Sequence, residues 1–247
     1  MAPVETMEEL THRLERERRA SELQRESNLE ESLAPFRVGS VPYLNAVPLT
    51  RGLEEQILFV PPAQLGEILR RGDLDAALLS VTEVLFSESY DILDGIAIAS
   101  LGEVFSVFLA HRQPLEQIEL IECDPASLTS VNLLKVLLAE RGLSPKFAPL
   151  NRPASEAPNV LLIGNPAIEF RRARPEHEIW DLGAGWYDLT KLPFVYAVWA
   201  LQRNKDTTKL RRMLREARDF GLDTLDYLID SRSEYDRSFR KDYLGWH

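Results

Sequence analysis

From Phe36 onward the chain alternates short β-like runs with amphipathic helical segments, and no other feature restricts its fold as much. "FRVGSV", "ILFVPP" and "LDAALLS" read as strands, and "PAQLGEILRRGD" reads as a helix between the last two. Within that helix Leu65, Ile68 and Leu69 fall on one face, and Gly72 marks its end. Strands alternating with helices imply parallel pairing and a doubly wound sheet. "DILDGIAIASLGEVFSVFLAHR" supplies two more strands, broken at Gly102.

A second alternating set follows. "IELIECD", "KFAPL" and "NVLLIGN" read as strands, and "SLTSVNLLKVLLAERG" as a helix with a stripe of Val131, Leu134, Leu137 and Leu138, closed by Gly142. An apolar, aromatic stretch, "IWDLGAGWYDLTKLPFVYAVWAL", leads to a last helical block, "TTKLRRMLREARDFGLDTLDYLI", whose heptad-like spacing fits core packing. The expected fold is therefore α/β, with two lobes, each a doubly wound mixed sheet with flanking helices, and a ligand cleft between them. Residues 36–104 with 197–247 form one expected lobe, and residues 105–196 the other. Residues 1–35, dense in Glu and Arg, read as a solvated helix or a partly disordered extension.

At 247 residues, 45% of them hydrophobic, the chain has material for such a core. A net charge of −10 argues against nucleic acid and against an anionic membrane surface as partners. An anionic ligand must then be drawn by a local field. The single cysteine, Cys123, excludes an intrachain disulfide and a multi-cysteine zinc site, and its strand-end context reads as a buried, inert thiol. No run approaches the ~20 apolar residues of a membrane span, and the first residues lack the apolar core of an export signal. A cytoplasmic protein is expected.

In doubly wound folds the ligand sits at the carboxyl ends of the strands. Polar residues end five predicted strands: Ser40, Tyr43 and Asn45; Ser80, Thr82 and Glu83; Ser106; Ser127, Thr129 and Ser130; and Asn165. Each alone fits a helix cap or a turn equally well. Together they line one edge of the expected sheet. The helix beginning at Ser127 to Ser130 offers a seat for a carboxylate, or a plain N-cap served by Asp124 or Ser127. Glu83 fits a helix-start glutamate paired with backbone. The four histidines, His12, His111, His177 and His247, show no metal-ligand spacing, and His111 reads as an exposed strand end. Phosphate-loop, dinucleotide and esterase motifs are absent.

Five stretches in order, "VGSVPYLNAVPL", "LRRGDLDAALLSVTEVL", "LGEVFSVFLAHRQP", "DPASLTSVNLLKVLL" and "DLGAGWYDLTKLPFVYAVWA", resemble the chorismate dehydratases of the futalosine route to menaquinone. The match spans Arg37 to His247. That resemblance implies a two-lobed fold like the type-II periplasmic solute-binding proteins, used in the cytoplasm as an enzyme. It implies conversion of chorismate to 3-[(1-carboxyvinyl)oxy]benzoate and water, with no cofactor and no metal, by a monomer or homodimer.

The resemblance also implies roles. Asn45 is placed at the reacting ring, while Ser106, Thr129 and Ser130 take the carboxylate-holding positions. Ser40, Tyr43, Thr82 and Asn165 complete the expected substrate-binding set. The family often has Ser where Pro42 stands and Asp where Asn165 stands, and relatives usually continue beyond "DYLGWH" with another short segment. A neutral amide cannot take a proton at pH 7, so a carboxylate of the substrate itself, that of the enolpyruvyl group, is the expected base. Three other readings share the sequence. One is a non-catalytic binding protein for a small anionic ligand. Another is the related 1,4-dihydroxy-6-naphthoate synthase, which would need a cleft histidine. The third is an inactive relative assembled through its extension.

Overall fold

The structure, a computed structural model, describes residues 7–33, 35–124, 128–173 and 176–246. Ser127 and His247 lie outside the described residues. The N-terminal segment is a helix, α1 (Met7–Leu33), exposed along most of its length. Its surface carries i,i+4 pairs such as Arg18–Glu22, each worth only about 0.3–0.5 kcal/mol. The docking comes from its last turns, where Leu29 and Leu33 are buried in the first core.

The chain then runs β1 (Val38–Ser40), a 3-10 helix (Leu44–Leu49), β2 (Ile57–Phe59), α2 (Pro62–Arg70), β3 (Ala76–Ser80), α3 (Val81–Leu85) and the long β4 (Tyr90–Ser100). It crosses to β5 (Val107–His111), β6 (Leu120–Cys123), α4 (Leu128–Ala139), β7 (Lys146–Pro149), β8 (Asn159–Ile163), α5 (Gly164–Arg172), β9 (Glu178–Asp181) and α6 (Leu182–Thr190). It returns through β10 (Phe194–Gln202) and ends in α7 (Thr208–Asp223), α8 (Leu225–Ser231) and α9 (Arg237–Trp246).

Among the described residues these strands form two five-stranded sheets, ordered β2-β1-β3-β10-β4 and β7-β6-β8-β5-β9. Parallel pairing holds for β1 with β2 and β3, and for β6 with β7 and β8. The expectation of parallel pairing needs correction at the strands that carry the chain between lobes. β10 runs antiparallel between β3 and β4, and β5 antiparallel between β8 and β9. A strand arriving from the opposite lobe enters the sheet from the far end, so its direction is reversed.

Burial explains the remaining pattern. Ala76, Ala77, Leu78 and Leu79 are all buried, as befits a strand covered on both faces. The predicted faces of the two helices hold: Leu65 and Leu69 are buried on α2, and Leu134, Leu137 and Leu138 on α4. Gly72 and Gly142 take positive φ just beyond these helices. The last helical block is two helices, because α7 ends at Thr224, whose hydroxyl donates to the Phe220 carbonyl at 2.6 Å. His111 is also corrected: it is buried, with Nδ1 2.9 Å from the Gln113 carbonyl, because β5 lies inside its sheet.

Two packing details set the position of the site. Gly221 of α7 lies against Pro48 of the 3-10 helix so closely that a Cβ there would collide with the Pro48 carbonyl. A small cluster of Leu44, Ile168, Ile229, Tyr243 and Leu244 joins the 3-10 helix, α5 and the two C-terminal helices.

Candidate active site

The two lobes line a cavity of about 80 Å³. The turn after β1 contributes Val41, Tyr43 and Asn45, and β3 contributes Leu78 and Ser80. The crossing into β5 supplies Val104, Ser106 and Val107, the start of α4 Thr129 and Ser130, and β8–α5 Ile163 and Gly164. From the long strands come Ile98, Tyr196 and Ala197. The lining set includes no Asp, Glu, Lys, Arg or His.

Five of the eight residues expected to bind substrate thus meet in one place, Tyr43, Asn45, Ser106, Thr129 and Ser130, and the strand-end Ser80 joins them. Three do not line it. Ser40 is fully buried in β1, its hydroxyl without a partner. Thr82 gives its backbone N–H to the Thr129 hydroxyl at 3.2 Å, while its side chain lines a neighbouring hollow with Arg70 and Glu83. Asn165 accepts the Leu44 N–H on its side-chain oxygen at 3.2 Å and lines an outer hollow on the far side of Tyr43. Glu83 needs correction as well: its partner is Arg70, 3.1 Å away.

Local chemistry places each cavity group. Gly164 opens α5 at φ 63°, and a Cβ there would come within 3.1 Å of the Tyr43 ring, so the glycine lets that ring lie on the helix start. The Ser80 and Thr129 hydroxyls hydrogen-bond across the lobes. Ser106 follows Phe105, a non-glycine residue at φ 67°. That strained turn is held by Asp181, the N-cap of α6, which accepts from the backbone N–H of Val104, Phe105 and Ala184 at 3.0, 2.8 and 3.0 Å. Burial raises the Asp181 carboxyl above its usual range, against those three bonds. Behind the cavity wall, the Tyr243 hydroxyl of α9 donates to Ser106 Oγ at 2.7 Å.

The phenols stay neutral. Burial, helped by the Asp124 carboxylate, pushes Tyr43 up to about 12, and burial pushes Tyr243 up to about 12 and raises Tyr196. The site therefore offers hydroxyls, a phenol, an amide and the first turn of α4, all uncharged. Cys123 is buried away from this lining, and burial pushes its thiol up to about 11, as expected for an inert residue.

Sequence reasoning passed over Tyr196 and Tyr243. Tyr196 lies within the unbroken apolar run "FVYAVWAL", which gives no sign of which side chains face the cavity. Tyr243 carried only the signal of an aromatic four residues after Phe239.

Two mixed α/β lobes closed on an uncharged cavity define a protein with the type-II periplasmic-binding-protein-like fold. The model of a family described as menaquinone biosynthesis matches residues 36–244, and the chain belongs to that family. A chorismate dehydratase from Thermus thermophilus is 35% identical over 224 residues, covering 81% of this chain and 83% of that protein. Among solved structures, protein AF1704 from Archaeoglobus fulgidus superposes with a TM-score of 0.65 at 20% identity, covering 86% of this chain and 87% of the other. YhfZ from Shigella flexneri follows the same fold with a TM-score of 0.55 at 16% identity, covering 86% and 99%. No helix among the described residues is long and apolar enough to cross a membrane.

Proposed function

We propose that this chain is a chorismate dehydratase, making 3-[(1-carboxyvinyl)oxy]benzoate and water as the first step of the futalosine route to menaquinone. The observation that carries the reading is the 35% identity to the Thermus thermophilus chorismate dehydratase over 224 residues. The cavity supports it, because its lining holds no carboxylate, histidine, lysine or arginine. The ring of chorismate loses its hydroxyl and a proton from the neighbouring carbon, which together make one water. Aromatisation drives this loss, so the protein chiefly has to hold one reactive conformer.

In this reading the enolpyruvyl carboxylate takes the ring proton. Asn45 orients the ring from the 3-10 helix, and Ser106, Thr129 and Ser130 hold carboxylate oxygens against the start of α4. Tyr43 closes the outer side, and Ser40, Thr82 and Asn165 support the residues that line the cavity. The reaction is redox-neutral, and the proposal includes no cofactor. It places the enzyme in the cytoplasm, with residues 36–104 and 197–247 as one lobe and 105–196 as the other. A cleft histidine, as a naphthoate synthase would need, is absent from the lining: His111 and His177 are both buried elsewhere.

The test is turnover. Purified protein is incubated with chorismate, and the benzoate product is followed by absorbance and mass against a buffer control. Product formation at many turnovers per chain is expected. Chorismate left at the control level by folded protein would refute the reading, and tight binding without turnover would make the chain a ligand-binding module.

A further inference from the structure

Beyond Tyr43 lies the outer hollow, about 260 Å³ in volume, and Val41 and Tyr43 line both it and the cavity. The cavity, at about 80 Å³, falls below the ~300–1,000 Å³ usual for a pocket that holds a small molecule. The Tyr43 ring lies on Gly164, and its hydroxyl makes no hydrogen bond among the described residues. Packing alone holds that ring, so it can swing aside and make the two spaces one.

Among the described residues lining either space, Arg232 is the one cation. Its Nη2 donates to Glu234 Oε1 at 2.8 Å, and its Nη1 makes no hydrogen bond among the described residues. Both carboxylates of the hollow are engaged, Glu234 by Arg232, and Glu54 by the Gly52 N–H at 2.7 Å and Arg51 Nη1 at 3.4 Å. The loop that carries Arg232 is pinned, because the buried Arg240 donates to the carbonyls of Ile229, Glu234 and Tyr235. A guanidinium on a fixed loop is pre-organised for a planar anion.

We propose that the outer hollow is a second ligand subsite, in which Arg232 holds the substrate carboxylate that does not act as base. The assignment rests on the proposed reaction, whose chemistry sorts the two carboxylates. A cation beside a carboxylate makes it a weaker base. The enolpyruvyl carboxylate, which takes the proton, therefore belongs among the uncharged groups of the cavity. The ring carboxylate is a spectator, and it reaches past Tyr43, whose ring swings aside for it, to Arg232.

The test compares two ligands by calorimetry. One is the expected product, 3-[(1-carboxyvinyl)oxy]benzoate. The other is 2-phenoxyacrylate, which keeps the enolpyruvyl carboxylate and lacks the one on the ring. The unaltered chain should bind the dicarboxylate about tenfold tighter or more, the worth of one charged hydrogen bond. Arg232→Met should erase that preference by weakening the dicarboxylate alone, and Arg232→Gln replaces it if it does not fold. Arg218→Met, which removes the cation from the hollow beside Asn45, should leave the preference intact.

Equal affinity of the unaltered chain for both compounds, or binding of neither, would overturn the proposal. So would a preference that survives Arg232→Met, or an equal loss for both compounds, which is what a merely structural role predicts. The measurement needs no turnover. Chorismate left intact, with an Arg232-dependent preference present, would sink the reaction and keep the subsite, and turnover without that preference would do the reverse.

Discussion

The side-chain oxygen of Asn165 accepts the backbone N–H of Leu44 at 3.2 Å, so the turn bearing Tyr43 and Asn45 in one lobe is tied to α5 in the other. Asn165→Ala strands that half-buried N–H, which costs about 1 kcal/mol. It should raise KM for chorismate several-fold with a smaller change in kcat. Steady-state kinetics with a melting curve would show it, and an unchanged KM would mean that the tie does not position the turn.

Asn45 supplies the amide that faces the cavity. Asn45→Ala should lower kcat by ~10²-fold or more while the fold survives, by analogy with removal of an oriented donor or acceptor. Single-turnover assays and circular dichroism check the two halves of this statement.

Gly221 lets α7 rest on the Pro48 carbonyl. Gly221→Ala overpacks that contact and should destabilise the chain by ~1–3 kcal/mol, read as a lower melting temperature. Because Pro48 belongs to the same 3-10 helix as Asn45, activity should fall as well. A variant as stable and as active as the parent would show that the helices separate without consequence.

Asp75 links pH to stability. Burial alone would raise its carboxyl, but the Arg37 backbone N–H at 2.8 Å and the Lys205 ammonium outweigh that and hold it below its ordinary value. A depressed carboxyl stabilises the fold above its unfolded value, near 3.9, and that stabilisation is lost as pH falls through the lower folded value. Melts between pH 7 and pH 3 should therefore show a steep acid limb below about pH 4. Asp75→Asn should be less stable at pH 7, with a shallower limb.

How far the sequence discloses such features depends on whether they are local. The apolar run "AALLS", the stripe on α2 and the glycines after α2 and α4 each depend on a few neighbouring residues, and all appear where expected. The insertion of β10 between β3 and β4 depends on pairing across more than a hundred residues, which no short pattern records. His111 shows the same limit, since its burial follows from β9 arriving alongside. Of the site, the hydroxyls and amide at strand ends could be read because that edge of the sheet is where ligands bind. Asn165 sits at such an edge, yet its oxygen is turned to Leu44, an orientation only the packed structure reveals.

The role of α9 has a consequence for the order of biosynthesis. Ser106 lies in the first half of the sequence, but the hydroxyl that holds its side chain comes from residue 243. A nascent chain that has assembled both sheets on the ribosome still presents a cavity with a loose Ser106 hydroxyl. The proposed activity would then arrive only when α9 emerges and docks.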